Sequence, residues 1–282
     1  MKNQNIPEIF IEKQNQVPDL LIHDFKMTTD VVKNKVNLSL HMFSFLQSGS
    51  KQVHFANNSV AVNKDQSLLV KKGNCLMTEL LLNDKIYFCK LLFFSSDSLK
   101  KIFKKHRDLL CLKKTVKKTE SYFTIKNDNY INSFVDSLTS IQQIKTKYSQ
   151  DLLTIKFEEL ILYLLSVYGN NFMYFLQSLI SDKGNSSFRK IVEANAESNL
   201  KLEEIAFLCN MSLSTFKRHF IAEYNVTPGK WLQKKRLEKA KEILEEGVLN
   251  ASQVYPNLGY NNLSNFSTAF KKQFGISPKE VK

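Results

Sequence analysis

Side chains that can hydrogen-bond to other molecules are concentrated in two short stretches near the C-terminal end of the chain. In each stretch two phenylalanines four residues apart, Phe216 and Phe220 in the first and Phe266 and Phe270 in the second, predict a helix with one buried face. Polar and basic side chains on the opposite face of such a helix can contact base edges and phosphates in the major groove of DNA. The candidate residues are Ser212, Ser214, Thr215, Lys217 and Arg218 in the first stretch, and Asn262, Leu263, Ser264, Asn265, Ser267, Thr268, Lys271 and Lys272 in the second.

The elements around these helices predict two similar helix–turn–helix units in series, over residues 202–220 and 251–272. Each unit has a short helix, a polar turn and a second helix that carries the candidate residues. Ser212 is placed to cap the first of these second helices, because its hydroxyl can accept from N–H groups of the first turn. Between the units, Thr227 as cap and Pro228 at the first position predict a helix that runs to about residue 246. It would span roughly 28 Å, near the ~34 Å between successive major-groove faces of one duplex.

Many residues at fixed offsets in this region match a known family. The matching positions are 205–206, 211–212, 216–220, 227–228, 231–232, 236–237, 240, 244, 258–260, 263–266 and 270–278. Together they resemble the DNA-binding domain of AraC/XylS-type transcriptional regulators, over roughly the last third of the chain. The resemblance implies a sequence-specific, double-stranded-DNA-binding transcriptional activator whose two recognition helices read adjacent major-groove segments and which has RNA polymerase as a partner.

The resemblance also implies roles for the first recognition helix. Ser214, Lys217 and Arg218 would occupy its exposed face. Arg218 would make a bidentate contact to guanine, and Lys217 would contact a base or a phosphate.

For the second recognition helix, the resemblance implies groove-facing residues and phosphate contacts. The groove-facing residues would be Leu263, Ser264, Asn265 and Thr268, and the phosphate contacts would come from Ser267, Lys271 and Lys272. Many family members have Arg where this chain has Thr268. Pro256 lies inside the first helix of the second unit, and we expect it to kink or shorten that helix.

The N-terminal part of the chain alternates short apolar runs with turn residues. Strands are predicted over 37–46, 52–56, 59–62, 67–70 and 85–94, after one or two opening strands within 1–35; turns are predicted at 47–50, 57–58, 63–65 and 73–74. Short strands in sequence order favour an antiparallel sandwich or small barrel. Together with the C-terminal match, this part resembles the cupin-like N-terminal domain of many AraC-type regulators.

Helices follow the strands. They are predicted over 99–105, with a cap at 95–97, and over 128–145, 150–168 and 172–180. The basic stretch 113–126 is predicted to be irregular. The polar stretch 181–187 predicts the domain boundary. The predicted fold is α+β. Residues 1–180 are predicted to form a cupin-like sandwich or barrel with helices, for sensing or dimerisation. Residues 181–187 are the linker. Residues 188–282 are predicted to form an all-α DNA-binding domain of two helix–turn–helix units joined by a linker helix.

The resemblance implies that the N-terminal domain dimerises the protein and binds a small molecule or a regulatory protein. The apolar stripe Ile131, Phe134, Leu138 and Ile141 lies on one face of the helix predicted over 128–145. This stripe has two interpretations: the seam of a homodimer, or packing against its own sandwich. A small-molecule pocket would be lined by aromatic residues that otherwise form ordinary core, namely Phe43, Phe45, Phe55, Phe88 and Phe93.

Composition limits the class of protein. A formal net charge of +13 over 282 residues favours a polyanionic partner, either nucleic acid or an anionic membrane surface. Cys75, Cys89, Cys111 and Cys209 form no CxxC pair, which excludes the usual zinc modules and is typical of reduced thiols in a cytosol. We find no signal-peptide pattern, and the longest apolar run, 160–165, is too short to span a bilayer. We therefore expect a cytoplasmic protein of the bacterial nucleoid that does not enter a membrane.

Two other functions compete with this interpretation. Cupin-like barrels often hold a metal between several histidines and carboxylates, but the strand region has only His41 and His54 and no HxH pair. No GxSxG, P-loop or GxGxxG stretch is present, so we expect neither an enzyme nor a cofactor. A sequence-neutral DNA-binding protein fits the basic charge, but two reading units and a separate domain exceed what neutral binding requires.

Overall fold

The computed structural model describes residues 3–12, 16–82, 85–106, 120–144, 146–181 and 187–281. The chain divides into two compact units, Met1–Asn185 and Ser186–Lys282. Residues 182–186 of the predicted linker, Cys111 and residues 113–119 of the basic stretch 113–126 lie outside the described residues.

The first unit contains two five-stranded sheets. Its strands are β1 Gln4–Ile6, β2 Leu20–Met27, β3 Val31–Leu38, β4 His41–Ser48, β5 Ser50–His54, β6 Ser59–Val62, β7 Gln66–Val70, β8 Gly73–Leu80, β9 Tyr87–Phe94 and β10 Tyr122–Lys126. One sheet has the order β1-β3-β8-β5-β6 and the other β10-β7-β4-β9-β2. The pairings are antiparallel except for β1 with β3, which is parallel.

Side-chain alternation along the second sheet produces two separate layers of core. On β4, Met42 and Leu46 are buried between the two sheets, whereas Phe43 and Phe45 are buried on the other side, against helices. Apolar residues of β9 divide in the same way. The described part of the first unit is therefore a β sandwich with a layer of helices on one sheet, and the predicted α+β fold class is confirmed.

Several predicted strands differ from the observed ones. The run 37–46 is two strands, because Ser39 and Leu40 turn the chain between β3 and β4. Gly73 and Asn74, predicted as a turn, begin β8, and residues 122–126 of the stretch predicted to be irregular form β10. Each of these errors comes from reading local turn or charge signals where pairing with neighbouring strands decides the conformation.

Three helices cover the second sheet: α1 Ser96–Lys105, α2 Asn129–Gln143 and α3 Ser149–Ile180. The Ser95 hydroxyl accepts from the Ser98 N–H at 3.0 Å and caps α1 as predicted. Helix α3 is bent at Gly169, whose φ of 55° and ψ of −133° are not helical. The two helical segments on either side of this glycine correspond to the two helices that the sequence predicts.

The apolar stripe of α2 packs inside its own unit. Ile131, Phe134 and Leu138 are each no more than 2% exposed and belong to the core formed with α3 and the second sheet, while Ile141 is half-buried. The structure therefore supports packing on the sandwich and contradicts the dimer seam for these three residues, because their side chains are not available to a second chain.

Of the two interpretations of the aromatic residues, the structure supports ordinary core over a shared small-molecule pocket. Phe43 and Phe45 are buried among the helices, Phe55 and Phe93 lie between the sheets, and Phe88 is half-buried beneath the Lys26 ammonium. These aromatic residues lie on different sides of the second sheet, so they do not line one barrel interior.

The second unit is all helical. Its helices are α4 Phe188–Ala194, α5 Leu202–Leu208, α6 Leu213–Tyr224, α7 Pro228–Glu245, α8 Ala251–Val254 and α9 Leu263–Phe274, with a 3-10 turn over Tyr255–Leu258 after α8. Helices α5 and α6 form one helix–turn–helix unit, α8 and α9 the other, and α7 joins them, as predicted. Among the described residues, no helix is both long enough and apolar enough to cross a membrane.

Candidate nucleic-acid interface

The first recognition helix, α6, begins at a serine cap. The Ser212 hydroxyl accepts from the Thr215 N–H at 3.2 Å and lies 3.0 and 2.9 Å from the hydroxyls of Ser214 and Thr215. Three hydroxyls thus meet at the N-terminus of α6. The N–H groups and positive dipole end of a helix favour a phosphate at this position.

One face of α6 is buried and the other carries the predicted contact residues. Phe216 and Phe220 are fully buried, whereas Ser214, Lys217 and Arg218 are exposed. The structure therefore places these three side chains together on one free face, from which an arginine can reach a guanine edge.

Two further residues of α6 differ in their surroundings. Ile221, one turn beyond Lys217, is 46% exposed on the same face, and it was not among the predicted contact residues. Its i, i+4 spacing from Lys217 was the available signal, and an apolar group there can contact a thymine methyl. His219 is half-buried, with its ring 4.4 Å from that of Phe188, and so has a packing role.

The second recognition helix, α9, is built in the same way. The Asn262 side chain caps it, with Oδ1 accepting from the Asn265 N–H at 2.8 Å. Asn262, Ser264, Asn265, Thr268, Lys271 and Lys272 are exposed. Ser267 is half-buried. Leu263 is partly buried against the core of its own unit, so it does not face outward as the resemblance implied.

Pro256 shortens the first helix of the second unit, as predicted. Helix α8 has four residues and continues as a 3-10 turn that contains Pro256. Asn250 compensates at the other end through a capping box: its side chain accepts from the Gln253 N–H, and the Gln253 side chain accepts from the Asn250 N–H. Phe266 and Phe270 remain fully buried, so the unit keeps its core.

Helix α7 joins the two units over 18 residues, or about 27 Å. Pro228 occupies its first turn as predicted, but the Thr227 side chain makes no capping hydrogen bond, contrary to the prediction. The Trp231 ring lies 5.6 Å from that of Phe220, whereas Leu237 belongs to the core around Phe270. Each half of α7 is therefore part of a different unit.

The basic residues of α7 and those of the recognition helices differ in whether they form ion pairs. Four lysines of α7 are paired with glutamates one turn away, in the pairs Lys234–Glu238, Lys235–Glu238, Lys239–Glu242 and Lys241–Glu245. Within the described part of the chain, we find no ion pair for Lys217, Arg218, Lys271 or Lys272. The recognition helices thus keep their positive charge available for an anionic partner.

The two histidines considered as metal ligands lie in different surroundings. His41 is buried; its Nδ1 accepts from the Lys72 N–H at 3.1 Å and its Nε2 lies 3.0 Å from the Ser96 hydroxyl. His54 lies on β5 of the other sheet. Over the described ranges, no group of three or more histidines, cysteines and carboxylates could hold a metal ion.

Comparison with protein-family models gives two matches. Residues 41–175 match the ExsA N-terminal regulatory domain, and residues 198–282 match a helix-turn-helix domain. Both recognition helices lie inside the second match.

Individual relatives match over shorter lengths. The thermoregulatory protein LcrF of Yersinia pestis is 25% identical over 153 residues, which cover 54% of this chain and 56% of LcrF. The virulence regulon transcriptional activator VirF of Yersinia enterocolitica is 25% identical over 154 residues, with the same two coverages. The chain thus spans about half the length of these relatives. Among solved structures, an apo form of ToxT from Vibrio cholerae aligns over 94% of this chain and 97% of its own, at 16% identity and a TM-score of 0.44.

Proposed function

We propose that this chain, which belongs to the AraC-type family of transcriptional regulators, recognises a specific DNA site with α6 and α9 and activates transcription from it. One observation carries the proposal. Two capped helices expose hydrogen-bonding and basic side chains, and a single continuous helix holds them in series. This arrangement suits two successive major-groove segments of one duplex.

In the first unit, we assign base recognition mainly to Arg218. Its guanidinium can donate two hydrogen bonds to O6 and N7 of guanine, a contact that distinguishes guanine from the other bases. Lys217 contacts a neighbouring base or a phosphate. Ser212, Ser214 and Thr215 bind a phosphate at the N-terminus of α6, where their hydroxyls meet.

In the second unit, the residues favour a weaker form of base readout. Ser264, Asn265 and Thr268 are exposed on α9 and can hydrogen-bond to bases, while Ser267, Lys271 and Lys272 contact phosphates. Asn262 caps the helix. Leu263 supports it from the core side, so it drops out of the set of base contacts.

Control of this activity belongs, in our proposal, to the N-terminal unit. The match of residues 41–175 to a regulatory domain supports control by a small molecule or a regulatory protein. An activator also contacts RNA polymerase. We further propose that the protein forms a homodimer through residues other than Ile131, Phe134 and Leu138. It would act as a DNA-binding protein and not as an enzyme. Its location would be the cytoplasm, at the bacterial nucleoid.

Selection of binding sites from a random pool of DNA duplexes, at two salt concentrations, tests the proposal. The expected result is one recurring site with two contacts about one helical turn apart. Enrichment of only one contact would mean that the second unit binds phosphates without reading bases. Retention of DNA without any recurring motif, abolished steeply as salt increases, would replace the proposal by sequence-neutral binding.

A further inference from the structure

Arg236 lies where α7 passes from one helix–turn–helix unit to the other. The preceding turn of α7 packs Trp231 against Phe220 of the first unit, and the next residue, Leu237, is buried in the core of the second. Arg236 itself is partly buried. A long, planar guanidinium at this point can reach backbone groups of both units.

The guanidinium contacts the first unit by a short hydrogen bond. Its Nη2 donates to the Leu200 carbonyl oxygen at 2.6 Å, and Leu200 is 1% exposed just before α5. The contact therefore holds the segment that leads into the first unit's opening helix.

The second unit approaches the same guanidinium at Gly259. A Cβ atom at this position would lie 3.2 Å from Nη1 of Arg236 and 3.6 Å from Cα of Asn199. Gly259 has a φ of 78°, which favours glycine, and it forms the turn between the 3-10 segment and α9. The second unit thus approaches both Arg236 and the first unit's backbone, and it does so closely enough to leave little room for a side chain.

Packing around this contact is incomplete. A cavity of about 270 Å³ opens between the two helix–turn–helix units, with Leu202, Leu232, Gln233 and Tyr260 among its lining residues. Nε of Arg236 is buried without a hydrogen-bond partner in the described part of the chain. Burial lowers the pKa of Arg236 and raises that of Tyr260. Apolar packing does not fill this space, and the Arg236 guanidinium lies in it between Leu200 and Gly259.

We propose that Arg236 is a positioning residue that fixes the distance and angle between α6 and α9, and thereby the spacing of the two DNA contacts. This inference rests on the proposed function and deepens it, since it names the side chain that sets the spacing. Lysine cannot replace arginine in this role, because its single ammonium group lacks the rigid fork that reaches Leu200 and Gly259 together.

A distance measurement without DNA tests the link directly. Spin labels on the full chain carrying Ser214→Cys and Ser264→Cys, both at exposed positions, report the separation of α6 and α9. We expect one narrow distribution in the parent and a broader or shifted one in Arg236→Met, with Arg236→Lys close to Arg236→Met. Lys234→Met removes one charge from the same helix and should leave the distribution unchanged. The chain without the added cysteines measures labelling of native thiols. An unchanged distribution in Arg236→Met overturns the proposal.

A binding measurement then tests the consequence for DNA. The parent should bind a duplex with one particular spacing between the two contacts about tenfold more tightly than a duplex whose spacing differs by one base pair. Arg236→Met should lose most of that preference. The parent and Arg236→Met should bind a duplex that contains only the site read by the first unit with affinities that agree within about twofold. This difference is well below the effect of one mismatched base pair. Equal losses on both duplexes would overturn the positioning role. A parent with no sequence preference would overturn the proposed function, while the label distances would still decide whether Arg236 links the units.

The substitution Gly259→Ala gives an independent check. If Gly259 and Arg236 act through one contact, Gly259→Ala should broaden the distances in the parent and add little to the change in Arg236→Met. Fully additive changes would contradict a shared contact.

Discussion

Lys51 of β5 and Glu79 of β8 are opposite each other in their sheet, and Nζ of Lys51 lies 3.2 Å from Oε1 of Glu79 in the interior of the sandwich. The same glutamate oxygen accepts from the Tyr87 hydroxyl at 3.1 Å, and Lys51 donates to the Ser44 hydroxyl at 3.0 Å. Ser44 and Tyr87 belong to the other sheet. The buried ion pair therefore hydrogen-bonds one sheet to the other.

Removing one partner of this pair should destabilise the N-terminal unit strongly. Glu79→Gln leaves the Lys51 ammonium buried without an opposite charge, and we expect a loss of roughly 3–5 kcal/mol in the free energy of unfolding. Urea unfolding followed by circular dichroism, together with the rate at which the buried thiols of Cys75 and Cys89 react, measures the loss. Asp97→Asn breaks the exposed pair with Lys100 and should change neither quantity. Equal effects of the two substitutions would contradict the stabilising role of the buried pair.

Alkaline pH should destabilise the same unit. Burial raises the pKa of the Cys75 thiol from 9.0 to about 12, against the opposing charge of Lys51. Since the thiol ionises more easily in the unfolded chain, its contribution is complete below pH 9.0 and disappears as the pH rises towards 12. We expect the slope to reach about 1.4 kcal/mol per pH unit for one group. Urea unfolding on both sides of pH 9.0 measures it. The decline should be less steep in Cys75→Ala, and an identical pH profile in that variant would refute the assignment.

Arg218 should carry sequence preference. Arg218→Ala should weaken binding to the selected site by about 1–3 kcal/mol and relax the preference at one base pair, because alanine cannot donate the two hydrogen bonds to guanine. Arg218→Lys keeps the charge and should restore affinity but not the preference. Fluorescence anisotropy with a panel of single-base variants of the site measures both. Lys234→Ala, on the paired face of α7, should leave both unchanged. A uniform loss across all variants would indicate a phosphate contact instead.

Lys271 and Lys272 should act on affinity without reading sequence. Alanine at either position should lower affinity for specific and scrambled duplexes alike. The slope of log K against log salt should become less negative by about 0.9 for each phosphate that is no longer neutralised by a lysine. Titrations at several salt concentrations give the slope. If one substitution leaves it unchanged, that lysine is an ordinary solvated charge.

Leu138 should matter for stability and not for association. Leu138→Ala opens a cavity in the core beneath α2, and we expect a loss of about 2–5 kcal/mol in the free energy of unfolding. Ile155→Ala, at a position 61% exposed on α3, should have little effect. Sedimentation of the folded Leu138→Ala variant should give the mass of the parent. A folded variant that dissociates would restore the dimer seam.

Local signals predicted the C-terminal unit well. The cap at Ser212, the paired phenylalanines and the shortening at Pro256 all act within one or two turns of helix, so the sequence contains what decides them. Arg236 was visible only as one position in a family match. Its contacts with Leu200 and Gly259 cross 36 and 23 residues, and no local pattern reports them.

The N-terminal unit was predicted in outline only. Strand content and order were readable, but the face of each side chain was not, because it depends on which sheet lies beneath. Phe43 and Phe45 therefore appeared to share a pocket with Phe93, although β4 and β9 direct them to opposite sides of one sheet. The stripe on α2 is ambiguous for a similar reason: an apolar helix face shows that something covers it, without showing whether that is its own domain.

The lysine–glutamate pairs along α7 also bear on how fast the protein finds DNA. Three glutamates there partly offset the charge of four lysines. On α6 and α9, Lys217, Arg218, Lys271 and Lys272 form no ion pair within the described part of the chain, so their charge attracts a duplex at long range. These four side chains should therefore raise the association rate as well as the affinity, and dissolved salt should slow the approach by screening them.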